Sequence, residues 1–169
     1  NTPVTSRAPE VVLTEDFKAG KVTDPIYNHP KDPLDVYTED IVTYTLRVYN
    51  EAELSGYALK VIDDIPTGLQ YLPDNAINIK YGWKMYKETD KTSTDSITFN
   101  KKLYVPTENV KEADVVVTEY LKDSLIKGYN QSTMSTLDYK DVELAFKVIE
   151  PAKSDRIIIN YAQIVDDAD

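Results

Sequence analysis

The chain contains no cysteine and only one histidine, and these two shortages exclude several classes of site. Without cysteine there is no disulfide, no zinc-thiolate centre and no cysteine nucleophile. The single histidine, His29, lies in the proline-rich stretch YNHPKDP, and no second histidine exists to complete a metal site or a catalytic triad with it. We therefore interpret His29 as a loop residue.

Positive charge is also scarce, and no long apolar run is present. The chain has 19 Lys and Arg against 29 Asp and Glu, a formal net charge of -10, which argues against binding to nucleic acid or to anionic membrane surfaces. No apolar run is long enough to span a bilayer, so we expect no membrane insertion by this segment. The first residues lack the pattern of a signal peptide, so any targeting signal of a secreted parent protein would lie outside this chain.

The distribution of proline and the hydrophobic pattern predict a mainly β protein. Five of the nine prolines lie in the opening segment, where they disfavour helices and central strands, so residues 1–38 are predicted to form an extended arm packed on the domain. Apolar and polar residues then alternate in a series of segments bounded by turn signals, which predicts strands at 40–51, 56–66, 77–87, 97–105, 139–149 and 156–165. One segment, 117–128, has helical spacing, with Thr118 as its cap.

This pattern favours an immunoglobulin-like β-sandwich with at most one short helix. We assign the sandwich to residues 39–165 and the start of an acidic linker to residues 166–169. None of the common nucleotide-binding, serine-hydrolase or zinc-protease motifs is present, and no carboxylate pair stands out as a glycosidase site. We therefore expect the protein not to be an enzyme.

Two polar residues interrupt the apolar faces of predicted strands. Asn160 lies on the apolar face of IIINYAQIV, and Asp63 lies on that of GYALKVIDDIP. The ordinary interpretation is that the asparagine bonds to neighbouring backbone and the aspartate caps a turn. A second interpretation is an intramolecular isopeptide bond, in which burial keeps a lysine amine neutral and nucleophilic while a protonated acid polarises the asparagine carbonyl. The lysines on the recognisable strands, Lys60 and Lys147 among them, fall on polar faces, so the donor is expected to be missing from this chain.

The stretch DIVTYTLRVYNEAELSGYALKVIDDIPTGLQYLPDN, together with LDYKDVEL and IIINYAQI near the end, carries a family resemblance. It resembles the repeat domain of large surface proteins of clostridia and related Gram-positive bacteria, akin to isopeptide-forming fimbrial and adhesin domains. The similarity extends from about Arg7 to the C-terminus. It implies that Asn160 is the bond acceptor and Asp63 the assisting acid. It also implies that the lysine lies on a first strand upstream of Asn1, so that this chain lacks that strand.

The resemblance implies a structural stalk or adhesin repeat on a bacterial cell surface, with neighbouring repeats of the same protein as its partners and no cofactor. The rival is a carbohydrate- or host-protein-binding module. Tyr81 and Trp83 share one side of a predicted strand, and such a row of aromatic rings stacks on sugars, although core packing explains the same pattern.

The acidic end VDDAD leaves a further alternative open. Asp166, Asp167 and Asp169 supply carboxylate oxygens of the kind that calcium prefers. The run lacks the glycine and the distal glutamate of an EF-hand, so a solvated linker is the competing interpretation.

Overall fold

The structure is a computed structural model that describes residues 4–29, 33–150 and 157–168. Within these ranges the strands are β1 (Val4–Ser6), β2 (Glu10–Val12), β3 (Ile26–Asn28), β4 (Ile41–Tyr49), β5 (Tyr57–Asp64), β6 (Leu69–Tyr71), β7 (Lys84–Thr89), β8 (Ile97–Phe99), β9 (Lys102–Pro106), β10 (Val115–Thr118), β11 (Tyr139–Val148) and β12 (Ala162–Ala168). The helices are α1 (Glu15–Lys18) and α2 (Ala76–Lys80). The predicted mainly β sandwich is confirmed, and its helices are short.

The strands form two large sheets and one small one. A four-stranded sheet has the order β1-β4-β11-β6, and a six-stranded sheet has the order β12-β5-β10-β7-β9-β8. Strands β2 and β3 pair separately. The pairing of β1 with β4 is parallel, and the other strand pairs described are antiparallel.

The core lies between the two large sheets because alternate residues of their strands face each other. Val142, Leu144 and Phe146 of β11 are completely buried, and they belong to one cluster with Val61 of β5 and Val116 of β10. The opposite face of the six-stranded sheet carries a second, smaller cluster formed by Ile62, Phe99, Tyr104, Val115 and Val117. The six-stranded sheet is therefore apolar on both of its faces.

Side chains complete one edge of the four-stranded sheet. Strand β6 covers only the last part of β11, and beyond it Asn78 of α2 donates to the Ala145 carbonyl and accepts from the Ala145 N–H at 2.9 and 2.8 Å. The Trp83 indole N–H donates to the Glu143 carbonyl at 2.7 Å. Asn78 is completely buried and bonds to β11 as a neighbouring strand would.

Two predicted elements are wrong. The helix predicted at 117–128 does not form, because Thr118 ends strand β10, which is hydrogen-bonded on both sides by β5 and β7, and turns follow. The strand predicted at 77–87 begins only at Lys84. Its first part is helix α2, whose N-terminus is capped by the Asn75 side chain, and Gly82 with φ of 64° leads into the strand. The expectation of at most one helix is therefore also wrong.

The last predicted strand begins later than expected. Strand β12 starts at Ala162, so Asn160 lies just before the strand and not in its middle. Residues 151–156, which include the predicted start at Arg156, lie outside the described residues.

The described part of the predicted arm contains β1, α1 and the β2–β3 pair. Thr14 caps α1, and Phe17 of that helix is buried and lies 5.2 Å from the Tyr129 ring. Neither helix in the described ranges has the length and apolar character needed to cross a membrane.

We predict that Asn78→Ala lowers the free energy of unfolding by about 3 kcal/mol, because it leaves the buried N–H and C=O of Ala145 without partners. Urea denaturation measures this loss. Asn109→Ala is the matched control, because this exposed amide bonds only within its own turn, and its loss should stay below about 1 kcal/mol. Equal losses in the two variants would contradict the role given to Asn78.

Candidate functional site

Asp63 occupies an interior position of the six-stranded sheet. Strand β5 lies between β10 and β12, and the register places Asp63 opposite Val116 on one side and Ala162 on the other. The residue has no solvent exposure. The sheet therefore holds a carboxyl group on its inner face, where apolar neighbours from the core surround it.

Asn160 is held beside Asp63 by the segment that leads into β12. The Tyr161 carbonyl accepts from the Asp64 N–H at 3.0 Å, which continues the alignment of this segment with β5. The Asn160 side chain donates through Nδ2 to Asp63 Oδ2 at 2.6 Å. The structure thus joins the two polar residues that interrupt the apolar pattern, although they are 97 positions apart in the chain.

The environment of Asp63 favours its neutral form. Burial raises the pKa of the Asp63 carboxyl well above its usual range, the hydrogen bond from Asn160 opposes this in part, and the nearby charge of Asp64 adds to the increase. Burial also raises the pKa of Tyr44, and the Asp63 carboxylate contributes to that increase. A neutral carboxylic acid is a hydrogen-bond donor as well as an acceptor, and this is the form that a general acid needs.

Two buried oxygens at this site have no hydrogen-bond partner among the described residues. They are Asp63 Oδ1 and Asn160 Oδ1. Leaving such an atom unpaired costs about 1–3 kcal/mol. The described lysines do not supply the missing donor. Lys60 pairs with Asp166 at 3.0 Å and Lys147 pairs with Glu39 at 3.4 Å, so both are engaged elsewhere.

Asn160 opens onto a cleft of about 1400 Å³ between the two large sheets. One wall is β4, and the opposite wall is the segment 157–164. Strand β1 pairs only with Val42–Tyr44, and among the described residues no other strand pairs with the rest of β4 on that side. Strand β12 is the outermost strand of its own sheet, so two strand edges border the same cleft.

Many apolar side chains that line this cleft are incompletely covered. Tyr44 and Leu46, on the inner face of β4, are only half-buried. Exposed fractions are high for four others, namely Leu34 at 52%, Ile157 at 55%, Ile159 at 58% and Ile164 at 44%. Several large apolar side chains exposed along one cleft make it a candidate interaction surface.

The sequence pattern did not reveal the cleft. The alternation in β4 correctly predicts an inward face, but alternation reports which residues share a side and not whether another element covers them. The run of isoleucines before Asn160 was the available signal, because so apolar a segment is normally covered in a folded domain.

The aromatic residues considered for sugar binding lie in the core. Tyr81 and Trp83 are only 8% and 6% exposed, and both belong to the main apolar cluster. The Tyr81 ring packs edge-to-face against Tyr120. Their ring faces are therefore not available as a platform for a sugar.

The acidic end shows no cation site in the part of the chain that the structure describes. Asp166 is paired with Lys60, Asp167 is exposed, and Asp169 lies outside the described residues. Across 4–29, 33–150 and 157–168, no group of three or more histidine or acidic side chains is arranged to hold a metal. His29 is exposed in the loop after β3, at the rim of the cleft.

No protein-family model matches the chain, and no curated protein and no solved structure matches it significantly.

We predict that the free energy of unfolding of the unaltered chain falls as pH rises because of Asp63, and that Asp63→Asn abolishes this contribution. In the folded protein the raised pKa keeps Asp63 protonated, whereas the unfolded chain ionises it above about pH 4, so unfolding releases a proton. The stability of the unaltered chain relative to the variant should therefore fall as pH rises from about 4 toward the folded-state pKa, by up to about 1.4 kcal/mol per pH unit. Urea denaturation of both proteins between pH 4 and pH 8 measures the difference.

Asp123→Asn serves as the control for this measurement. Its side chain is 87% exposed, so the variant reports the general effect of removing one negative charge from an acidic chain. If Asp63→Asn and Asp123→Asn gave the same difference curve, Asp63 would not be held neutral by burial.

Proposed function

We propose that this chain is a structural β-sandwich module of a bacterial cell-surface protein, a stalk or adhesin repeat. In its complete form, a lysine–asparagine isopeptide bond at Asn160 locks the module, and Asp63 assists its formation. The observation that carries the proposal is the 2.6 Å contact between Asn160 and the buried Asp63, where one oxygen of each side chain has no hydrogen-bond partner among the described residues. The module lies outside the cell on a Gram-positive wall, with neighbouring repeats as its partners.

The contact suits amide-bond formation because it places the Asp63 carboxyl group beside the side-chain amide of Asn160, the group that the lysine would attack. A half-turn of the Asn160 amide exchanges its oxygen and nitrogen, which lets protonated Asp63 donate to Oδ1. That hydrogen bond polarises the carbonyl and stabilises the negative charge that develops on Oδ1 during attack at Cγ. Nδ2 then leaves as ammonia once it has gained a proton, and Asp63 is placed to transfer that proton.

The donor in this proposal is a lysine on a strand that precedes Asn1 in the parent protein. The cleft lies beside Asn160, has apolar side chains such as Val42, Val61 and Ile158 in its lining, and is bordered by β4 and by the outermost strand β12. Burial in such surroundings disfavours the ammonium form, so an entering lysine becomes a neutral nucleophile. The resemblance to isopeptide-forming surface domains supports the same placement of the lysine.

A stalk function follows from where the bond would lie. A covalent link between the strand in the cleft and the segment that leads into β12 would connect the two ends of the domain. Tension along the protein would then pass through the link and not through the sheets. Such a link also provides the constraint that disulfides provide elsewhere, in a chain without cysteine.

The glycan-binding alternative is not proposed. Its support was an exposed aromatic row at Tyr81 and Trp83, and both residues are buried.

We predict that the protein extended upstream of Asn1, to include the donor strand, has a denatured mass lower than calculated by one ammonia. Asn160→Ala in the same extended protein should restore the full calculated mass, because the acceptor carbonyl is removed. Asn109→Ala is the matched control, since this exposed asparagine has no carboxyl partner and the ammonia should still be lost. A full mass in the extended protein with Asn160 intact would refute the proposed bond.

We further predict that the link raises the stability of the extended protein by about 5 kcal/mol, because a bond from a lysine upstream of Asn1 to Asn160 closes a loop of about 160 residues or more in the unfolded chain. Guanidinium denaturation of the extended protein and of its Asn160→Ala variant measures this difference. Equal midpoints for the two proteins, with the mass loss present, would show that the bond forms without stabilising the fold.

A further inference from the structure

We infer that Tyr44 is a positioning residue for the proposed bond. Once the cleft is filled, its hydroxyl donates to Asp63 Oδ1 and so keeps the proton of the acid on Oδ2, the oxygen beside Asn160. This role rests on the proposed function, because Tyr44 acts on the reaction at the same site.

Tyr44 lies across the cleft from Asp63 and Asn160. It is on the inner face of β4, and it packs against the same apolar cluster as Val61 and Ile158, with all three side chains lining the cleft. Val61 is two positions before Asp63 on β5, so the two share one face of the sheet. Ile158 is two positions before Asn160 in the segment that leads into β12. Tyr44 therefore faces both polar residues from the opposite wall.

The Tyr44 hydroxyl remains a hydrogen-bond donor in this position. Burial raises the pKa of Tyr44, and the charge of an ionised Asp63 raises it further, so the hydroxyl keeps its proton. The effect of a charge falls with distance, so this influence also indicates that the two side chains are neighbours. Asp64 is the other charged group that acts on Asp63, and it raises the pKa of Asp63 in addition to burial.

Asp63 Oδ1 and the Tyr44 hydroxyl have complementary needs. Asp63 Oδ1 is buried and has no hydrogen-bond partner among the described residues. Tyr44 is half-buried at the border of the cleft, where water reaches it until a strand enters. An entering strand removes that water, and a buried hydroxyl without a partner costs free energy. A hydrogen bond from Tyr44 to Asp63 Oδ1 satisfies both groups.

A donor at Oδ1 decides which oxygen of the acid carries the proton. A neutral carboxyl group has one hydroxyl oxygen and one carbonyl oxygen, and an incoming O–H group bonds to the carbonyl oxygen. With Tyr44 at Oδ1, the proton stays on Oδ2, which lies 2.6 Å from Asn160 Nδ2. Asp63 must donate to the amide from this oxygen. Tyr44 thus acts through Asp63 and does not touch the reacting atoms.

Tyr44→Phe isolates the hydroxyl from the ring. The Tyr44 ring packs edge-to-face on Phe146 with 6.1 Å between the ring centroids, and phenylalanine keeps this contact. Tyr86→Phe is the matched control. Tyr86 is also half-buried, but it packs against the smaller apolar cluster on the opposite face of the six-stranded sheet.

The test uses the protein extended upstream of Asn1, because the reaction needs the donor lysine. Cell-free synthesis is stopped with an inhibitor of translation, and the new protein is diluted into buffers between pH 5 and pH 9. Denatured mass at timed intervals gives the rate of ammonia loss at each pH. Urea denaturation of Asn160→Ala, with and without Tyr44→Phe, measures any effect on packing, and we expect equal midpoints.

We expect Tyr44→Phe to lose ammonia about tenfold more slowly at its best pH, because the proton of the acid is no longer held in place. The fall of the rate on the alkaline side should also move to higher pH. A hydroxyl that donates to a carboxyl group favours the carboxylate, so its removal raises the pKa of Asp63 and keeps the acid protonated to higher pH. Tyr86→Phe should match the unaltered protein in rate and in pH dependence.

The outcomes separate the role of Tyr44 from the bond itself. If the unaltered extended protein loses no ammonia, the bond is refuted and the role of Tyr44 with it. If Tyr44→Phe reacts at the unaltered rate and pH dependence, the bond stands and the role of Tyr44 is overturned. A slower reaction with an unmoved pH dependence also overturns it, because loss of packing or of a contact with Asn160 would leave the protonation of Asp63 unchanged.

Discussion

The hydrogen bond between Asp63 and Asn160 is the constraint around which the cleft is organised. An acid in a completely buried strand position is tolerated only if it is neutral or paired, and here the amide supplies one partner while burial favours the neutral form. The segment before β12 must run beside β5 for this contact to exist. That course places the isoleucines of the segment along an uncovered apolar space.

The two edges of the four-stranded sheet differ in what bonds to their backbone groups. At β11 the backbone beyond β6 is satisfied by side chains, because Asn78 and Trp83 bond to Ala145 and Glu143. At β4 the short strand β1 covers only the first part, and the rest borders the cleft. Closing one edge with a buried amide prevents strand addition there. A strand added at this edge would also lie next to Asn160 and Asp63.

The burial of the aromatic residues follows from the same architecture. Helix α2 places Asn78 against β11, and the chain then turns so that Trp83 reaches into the space between the sheets. A tryptophan at the centre of a sandwich stabilises the packing of both sheets, and its buried ring cannot contact a ligand. The surface proposed to receive a donor strand lies instead at a sheet edge, where backbone and side chains both line the cleft.

The strands were predictable wherever alternation was strong, as in β4, β5 and β11, because period two reflects the geometry of the strand itself. The failures came where local pattern was overruled by tertiary contacts. Residues after Asn75 alternate like a strand but form α2, because Asn75 caps a helix that carries Asn78 to β11. Residues after Thr118 have helical spacing, but the preceding strand β10 is fixed between two neighbours.

The sequence by itself determined the fold class and marked Asp63 and Asn160, since a polar residue on an apolar face is visible in the order of residues alone. Only the tertiary structure decided that the two lie 2.6 Å apart, that one oxygen of each has no partner among the described residues, and that a cleft adjoins them. The physical reason is that side-chain alternation is a local property of one strand. Pairing across 97 residues and the coverage of a surface depend on which elements pack together.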